Sequence, residues 1–140
     1  YAGEVLAAAG LVRLVFCEQL PVYLDAAVFV PAPGQGALAV EVRADDDGLL
    51  GLLAPLNHRP TRLAVTAERA LLEALGSGCH LAVGAYARVE GDLIVLTGMV
   101  AAPDGSRVLK AKVQGHAANP HEVAVDVFQR LVEKGARTLL

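Results

Sequence analysis

Cys79 closes the run Gly76-Ser77-Gly78-Cys79 directly after a stretch of helical periodicity. A thiol at such a place can act as a nucleophile or anchor a covalently held group, in either case through its thiolate. The neighbouring glycines remove bulk around the sulfur and let a ligand approach. A helix C-terminus carries the negative end of the backbone dipole and does not lower a thiol pKa, so activation has to come from nearby cations or from the reaction partner. His80 is adjacent in sequence, which fixes no geometry. The residues alone leave three readings open: covalent use of Cys79, burial of its side chain as a small hydrophobe in a noncatalytic α+β interaction domain, and a hydrolase in which a histidine reaches the sulfur.

Arg13 and Arg69 are the other candidates. A guanidinium can grip a carboxylate ligand through two parallel hydrogen bonds, or it can simply be solvated or paired within the protein. Glu68 has both a salt-bridge reading and a catalytic one. Cys17, His58, His116 and His121 lack the short spacings of a structural zinc site, and no metal is expected. The glycine loop has neither the lysine nor the spacing of a phosphate-binding fingerprint.

The formal charge of −3 gives no bulk attraction for nucleic acid or an anionic membrane, although a local group of arginines can still bind a small anion. Two cysteines do not make a disulfide framework and fit a reducing cytosol, so a cytoplasmic location is expected. The densest early apolar run, 28–42, is broken by Pro31, Pro33, Gly34 and Gly36, and no stretch has the length to cross a bilayer.

Two unequal pieces must position these side chains. In the first, Val5–Leu14 reads as a short helix, 27–30 is strand-like, Pro31-Ala32-Pro33-Gly34-Gln35-Gly36 is a shaped connection, and 37–43 alternates like a strand. Neither strand-like run has enough neighbours to complete a sheet, so the chain is expected to start partway through a larger architecture whose missing portion lies upstream. From about Pro55 the pattern is cleaner. Leu63, Ala67, Ala70, Leu71, Ala74 and Leu75 recur at the helical period and Gly76 ends the helix. Three strands follow: Val83, Ala85, Ala87 and Val89 alternate in the first, 93–101 is the second, and the third sets Leu109, Ala111 and Val113 opposite Lys110 and Lys112. Asn119, Pro120 and Glu122 announce a last helix with a side-chain cap. The expected fold class is α+β, a small domain with a three-stranded antiparallel sheet covered on one face by helices, preceded by an incomplete α/β portion of a larger multidomain fold.

Several strings, in order along the whole chain, together resemble one family. They are Leu6-Ala7-Ala8-Ala9-Gly10-Leu11-Val12-Arg13-Leu14, Pro31-Ala32-Pro33-Gly34-Gln35-Gly36-Ala37, Leu56-Asn57-His58, Val65-Thr66-Ala67-Glu68-Arg69-Ala70, Gly78-Cys79 and Ala102-Pro103-Asp104-Gly105-Ser106. The family is porphobilinogen deaminase, or hydroxymethylbilane synthase. The resemblance implies that residues 1–54 are the end of the second domain and the crossover into the first, and that 55–140 are the cofactor-bearing C-terminal α+β domain. It also implies a dipyrromethane cofactor held by a thioether on Cys79, an anchor that primes the addition of four porphobilinogen units with loss of ammonia. Arg13 matches a substrate-binding arginine and is carried over as a cofactor-binding residue; Glu68 and Arg69 match the helix before the cofactor loop, in supporting roles. Porphobilinogen losing ammonia gives an electrophilic methylene-pyrrolenine that a thiolate or a pyrrole carbon can attack, and its acetate and propionate groups call for cationic partners. The family's catalytic aspartate lies upstream of Tyr1, and none of Asp25, Asp45, Asp46, Asp47, Asp92, Asp104 or Asp126 matches it. No catalytic residue is therefore assigned within this chain, which is expected to be inactive alone and to work with the N-terminal portion, in cis or as a separate chain, in an enzyme that is monomeric when complete. His80 after the cysteine and Ala2-Gly3 near the start depart from the family pattern.

Overall fold

The structure, a computed structural model, describes residues 3–14, 22–76 and 82–139. Cys17, Cys79 and His80 lie outside the described residues. The element order is α1 (Ala8–Arg13), α2 (Asp47–Leu53), α3 (Arg59–Ala74), β1 (Ala82–Glu90), β2 (Leu93–Ala101), β3 (Val108–His116) and α4 (Pro120–Glu133), with 3-10 turns at Ala54–Leu56 and Ala136–Thr138.

The three strands form an antiparallel meander in the order β1-β2-β3, in register from Glu90↔Leu93 at one end and Ala101↔Val108 at the other. Gly91, with φ of 60°, opens the two-residue turn between β1 and β2, a backbone angle that a side chain would strain. The period-two pattern decides the faces. Ala85, Ala87, Ile94, Leu96, Val100, Ala111 and Val113 are buried beneath the helices together with Ala67, Leu71 and Leu75 of α3 and Val123, Ala124, Val127 and Leu131 of α4. Each large aliphatic side chain withdrawn from water here contributes about 1.5–3 kcal/mol. Gly98 of β2 lies where both helices come down on the sheet. A Cβ there would stand 2.5 Å from Leu71 Cδ2 and 2.7 Å from Val127 Cγ1, so hydrogen alone fits.

The small domain thus matches the expected architecture, with longer elements than the sequence pattern marks out. Helix α3 begins at Arg59, with Pro60 in its first turn, and β3 runs on to His116. Asn119 differs from expectation. Its side chain caps no backbone N–H; its Nδ2 donates instead to Glu122 Oε2 at 2.9 Å, a side-chain pair that leaves Pro120 to begin the helix.

The portion ahead of this domain is helical and irregular, with no strand among the described residues 3–14 and 22–58. Helix α1, Ala8–Arg13, begins later than the expected Val5 and has no side-chain cap, since Ala7 at its N-cap offers no acceptor. Residues 25–29 form a turn held by Asp25, whose carbonyl accepts Val28 N–H at 2.9 Å and Phe29 N–H at 2.7 Å. The 37–43 run stays without a ladder, since alternation makes a strand only when a neighbour supplies hydrogen bonds. Helix α2 was not signalled by apolar period; Asp46 starts it by accepting Leu49 N–H at 3.0 Å.

Replacing Gly98 with valine should destabilise the domain by about 2 kcal/mol through overpacking, in spite of valine's better strand propensity. A lowered urea midpoint at unchanged slope would check this; an unchanged midpoint would contradict the packing argument.

Candidate functional site

The connection 75–81, which carries Cys79, joins the end of α3 to the start of β1. Both flanking elements meet the segment 30–37, and the geometry of that meeting is the best-defined polar arrangement in the described residues.

Ala32, Pro33, Gly34 and Gln35 form a turn closed by Gln35 N–H donating to Ala32 O at 3.1 Å, with Gly34 at φ of 73°. Proline at the second position and a positive-φ glycine at the third are the requirements of a type II turn. Just before it, Pro31 O accepts Ala85 N–H at 2.9 Å, so the segment lies along the free edge of β1. Proline has no N–H to continue such a ladder. The next outward N–H of the edge, that of Ala87, is taken instead by Glu68 Oε1 at 2.8 Å, while Glu68 Oε2 accepts Gly34 N–H at 2.7 Å. One carboxylate from α3 therefore joins the turn to the strand. Gly84 makes the approach possible, because a Cβ at that position would stand 2.8 Å from Val30 O. Val30 itself is buried, and Lys110 on the same face of the sheet donates to Val28 O. The face expected to be solvated is thus partly covered by 28–31, although Lys112 stays exposed.

Glu68 is only 6% exposed and is the one buried charged residue among those described. Burial pushes its pKa above the ordinary 4.5, against the lowering effect of the bonds from Ala87 and Gly34. It borders a cavity of about 470 Å³ between α1, the turn, α3 and β1, lined by Ala8, Gly34, Ala37, Val65, Tyr86 and Ala87 among others. A second cleft, about 300 Å³, opens on the other side of Val65 and is bordered by Leu38, Asn57, His58, Arg62 and Arg69.

The structure separates the residues that the sequence grouped. Arg69 is exposed on the second cleft, and Arg13 is exposed in the last turn of α1. Neither guanidinium forms a hydrogen bond or ion pair with another described residue, and the same holds for that of Arg62. The Arg62 and Arg69 guanidinium groups beside the second cleft, and the exposed Arg13 guanidinium on α1, suit a ligand carrying several carboxylates, so this donor set fits an acetate- and propionate-bearing pyrrole group in its chemistry. Sequence reasoning missed Arg62 and the role of Gly34. The first lay hidden among ordinary polar helix positions; for the second, the Pro33-Gly34 pair signalled a turn but not what its N–H would meet. No group of three histidine, cysteine, aspartate or glutamate side chains arranged for a metal occurs among the described residues. His58 Nδ1 bonds Thr61 Oγ1 at 2.8 Å and His116 Nδ1 accepts Ala118 N–H at 3.1 Å, both local structural contacts. Among the described residues no helix is long and apolar enough to cross a membrane.

Comparison with known proteins adds an independent line. Residues 62–133 match the family model for the C-terminal domain of porphobilinogen deaminase, and residues 1–50 match the model for the dipyrromethane cofactor binding domain of porphobilinogen deaminase. The chain is 44% identical over 138 residues to a porphobilinogen deaminase of Alkaliphilus metalliredigens, an alignment that covers 99% of this chain. It spans 44% of that relative's length.

The burial of Glu68 has a consequence for stability. Because its folded-state pKa is raised, the folded chain holds this proton more tightly than the unfolded chain does. Its contribution to stability is therefore fully present below the ordinary value of 4.5 and is lost as pH rises through the folded value. Glu68→Gln removes this proton linkage. The stability of the variant relative to the parent should improve as pH rises above the ordinary value of 4.5, as read from urea unfolding; a difference that stays constant with pH would refute it.

Proposed function

Because the chain belongs to the porphobilinogen deaminase family, we propose that it is the latter portion of a transferase of tetrapyrrole biosynthesis that joins four porphobilinogen units into hydroxymethylbilane and releases ammonia. The observation that carries this reading is the match of both segments to the family, cofactor-binding and C-terminal, in one chain whose turn at 31–37 is bonded to both elements flanking Cys79.

In this reading Cys79 is the thioether anchor of the dipyrromethane group, which supplies a nucleophilic pyrrole carbon for chain growth. Arg13 binds the carboxylate side chains of that group and of the substrate, and Arg69 and Arg62 extend the positive lining along the second cleft. Such charge-assisted pairs orient a polyanionic chain by its side groups and leave its reacting carbons free. The glycines beside Cys79 keep the sulfur open to the group it holds. No described side chain is assigned the proton transfers, which fall to the aspartate expected upstream.

The first segment supports a partner of that kind. Val5, Leu6, Leu24, Val28, Phe29 and Leu38 are all more than half exposed. Apolar surface on this scale marks a contact region, and the upstream portion of the enzyme is its proposed occupant, with a monomeric complete enzyme as the result.

Two outcomes are expected. Intact-protein mass of the complete enzyme should show a dipyrromethane adduct that Cys79→Ala abolishes, and an unmodified Cys79 in active enzyme would sink the assignment. The 140-residue chain alone should turn over no porphobilinogen; production of hydroxymethylbilane by it would show that the upstream portion is dispensable.

A further inference from the structure

We propose that Glu68 is a positioning residue whose carboxylate, by accepting the N–H groups of Gly34 and Ala87 together, fixes the 31–37 turn relative to the two elements that hold the Cys79 connection. The inference rests on the reading of Cys79 as anchor, and it goes beyond that reading by assigning to a buried carboxylate the alignment of the cofactor-bearing loop with the preceding segment.

The placement makes the case. Helix α3 ends five residues before Cys79 and β1 begins three residues after it. Glu68 belongs to the first element, its Oε1 holds the second, and its Oε2 holds the turn. A single side chain thus ties the two elements that flank the loop to one external point. Among the described residues, segment 28–34 is also bonded to the domain by Ala85 N–H to Pro31 O and Lys110 to Val28 O, neither of which involves α3.

The form of the group supports position over stability. Among the described residues, no cation is bonded to the buried charge. Among the described residues, the ionisable neighbour on its cavity is Tyr86 of β1; the turn has no titratable side chain; on α3, Arg62 and Arg69 border the other cleft; and Arg88 of β1 pairs with Glu90 at 2.9 Å. Two backbone dipoles alone stabilise the carboxylate, and burial still outweighs them. A buried ionised group held this way is a poor source of stability compared with an apolar side chain of the same volume. What it supplies is two acceptors aimed in different directions. A glutamine of identical shape has one acceptor oxygen, and its amide would set a donor against a donor.

The test uses the complete enzyme, its upstream portion included, as parent, Glu68→Gln and Glu68→Asp. Glu68→Gln is expected to retain the Cys79 adduct by mass and a melting temperature within about 4 °C of the parent. Exchange at the Gly34 or Ala87 amide should accelerate at least about 10-fold while β2 amides are unaffected. The kcat should fall about 10-fold with KM changed less than about 2-fold, as expected when alignment rather than affinity is lost. Glu68→Asp keeps two acceptors on a shorter stem and should restore part of both losses. Unchanged exchange at both amides would overturn the clamp. Accelerated exchange with full kcat would reduce Glu68 to a structural contact. A parent enzyme without an adduct would refute the anchor reading, which the exchange measurement does not depend on.

Discussion

A three-stranded sheet has two edges, and every backbone N–H and C=O along them needs a partner or water. The organisation of this chain follows from how those edges are closed. On β1 the work is divided between Pro31, which contributes a carbonyl and cannot extend a ladder, and Glu68, which takes the next amide. On β3 the carbonyls of Lys112 and Lys110 accept from Arg130 at 3.0 Å and from Lys134 at 2.6 Å, both reaching over from α4. Each edge is therefore partly covered by side chains from the helical side of the sheet. The β1 device also attaches the preceding segment.

That attachment demands glycine at specific places, for different reasons. Gly34 donates its N–H from a backbone angle that a side chain would strain, and Gly84 lets Val30 O pass close to the strand. Gly98 answers a third demand, the close approach of both helices to the centre of the sheet. The helix packing beneath and the segment lying along the edge thus bear on the same strands from different sides. Gly135, at φ of 93° and covered by the Arg107 guanidinium, then turns the chain out of α4, with Arg107 Nη2 donating to Lys134 O at 2.9 Å.

The same arrangement gives the candidate site its character. Its polar centre is built from backbone amides and one carboxylate, whereas the cationic side chains suited to a polycarboxylate ligand stand outward on the clefts beside it. Separation of this kind keeps the guanidinium groups free of internal partners, since a buried carboxylate satisfied by amides has no call on them. In the proposed enzyme, ligand binding and loop placement are then served by different residues on one helix, Arg62 and Arg69 on one side and Glu68 on the other.

Much of this was legible in the residues. Alternation in 83–113 announced three strands and their inner faces, and Pro33-Gly34 and Gly91 announced turns, because each depends on local backbone chemistry. Family membership was legible in six ordered strings, and the resemblance gave Cys79, already singled out by its glycine loop, its candidate role as anchor; the residue lies outside the described residues. The strand-like runs 27–30 and 37–43 misled because alternation states a preference that only a neighbouring strand can realise. Glu68 read from sequence as a helix carboxylate with a salt-bridge reading and a catalytic one. Its actual partners are 34 and 19 residues away, and both are backbone amides, which carry no residue-type signal. Sequence alone determined the strands, turns and candidate anchor, since those follow from side-chain type and short-range geometry. Only the tertiary structure decided what the buried carboxylate holds, because every residue offers the same N–H and folding alone selects which two meet it.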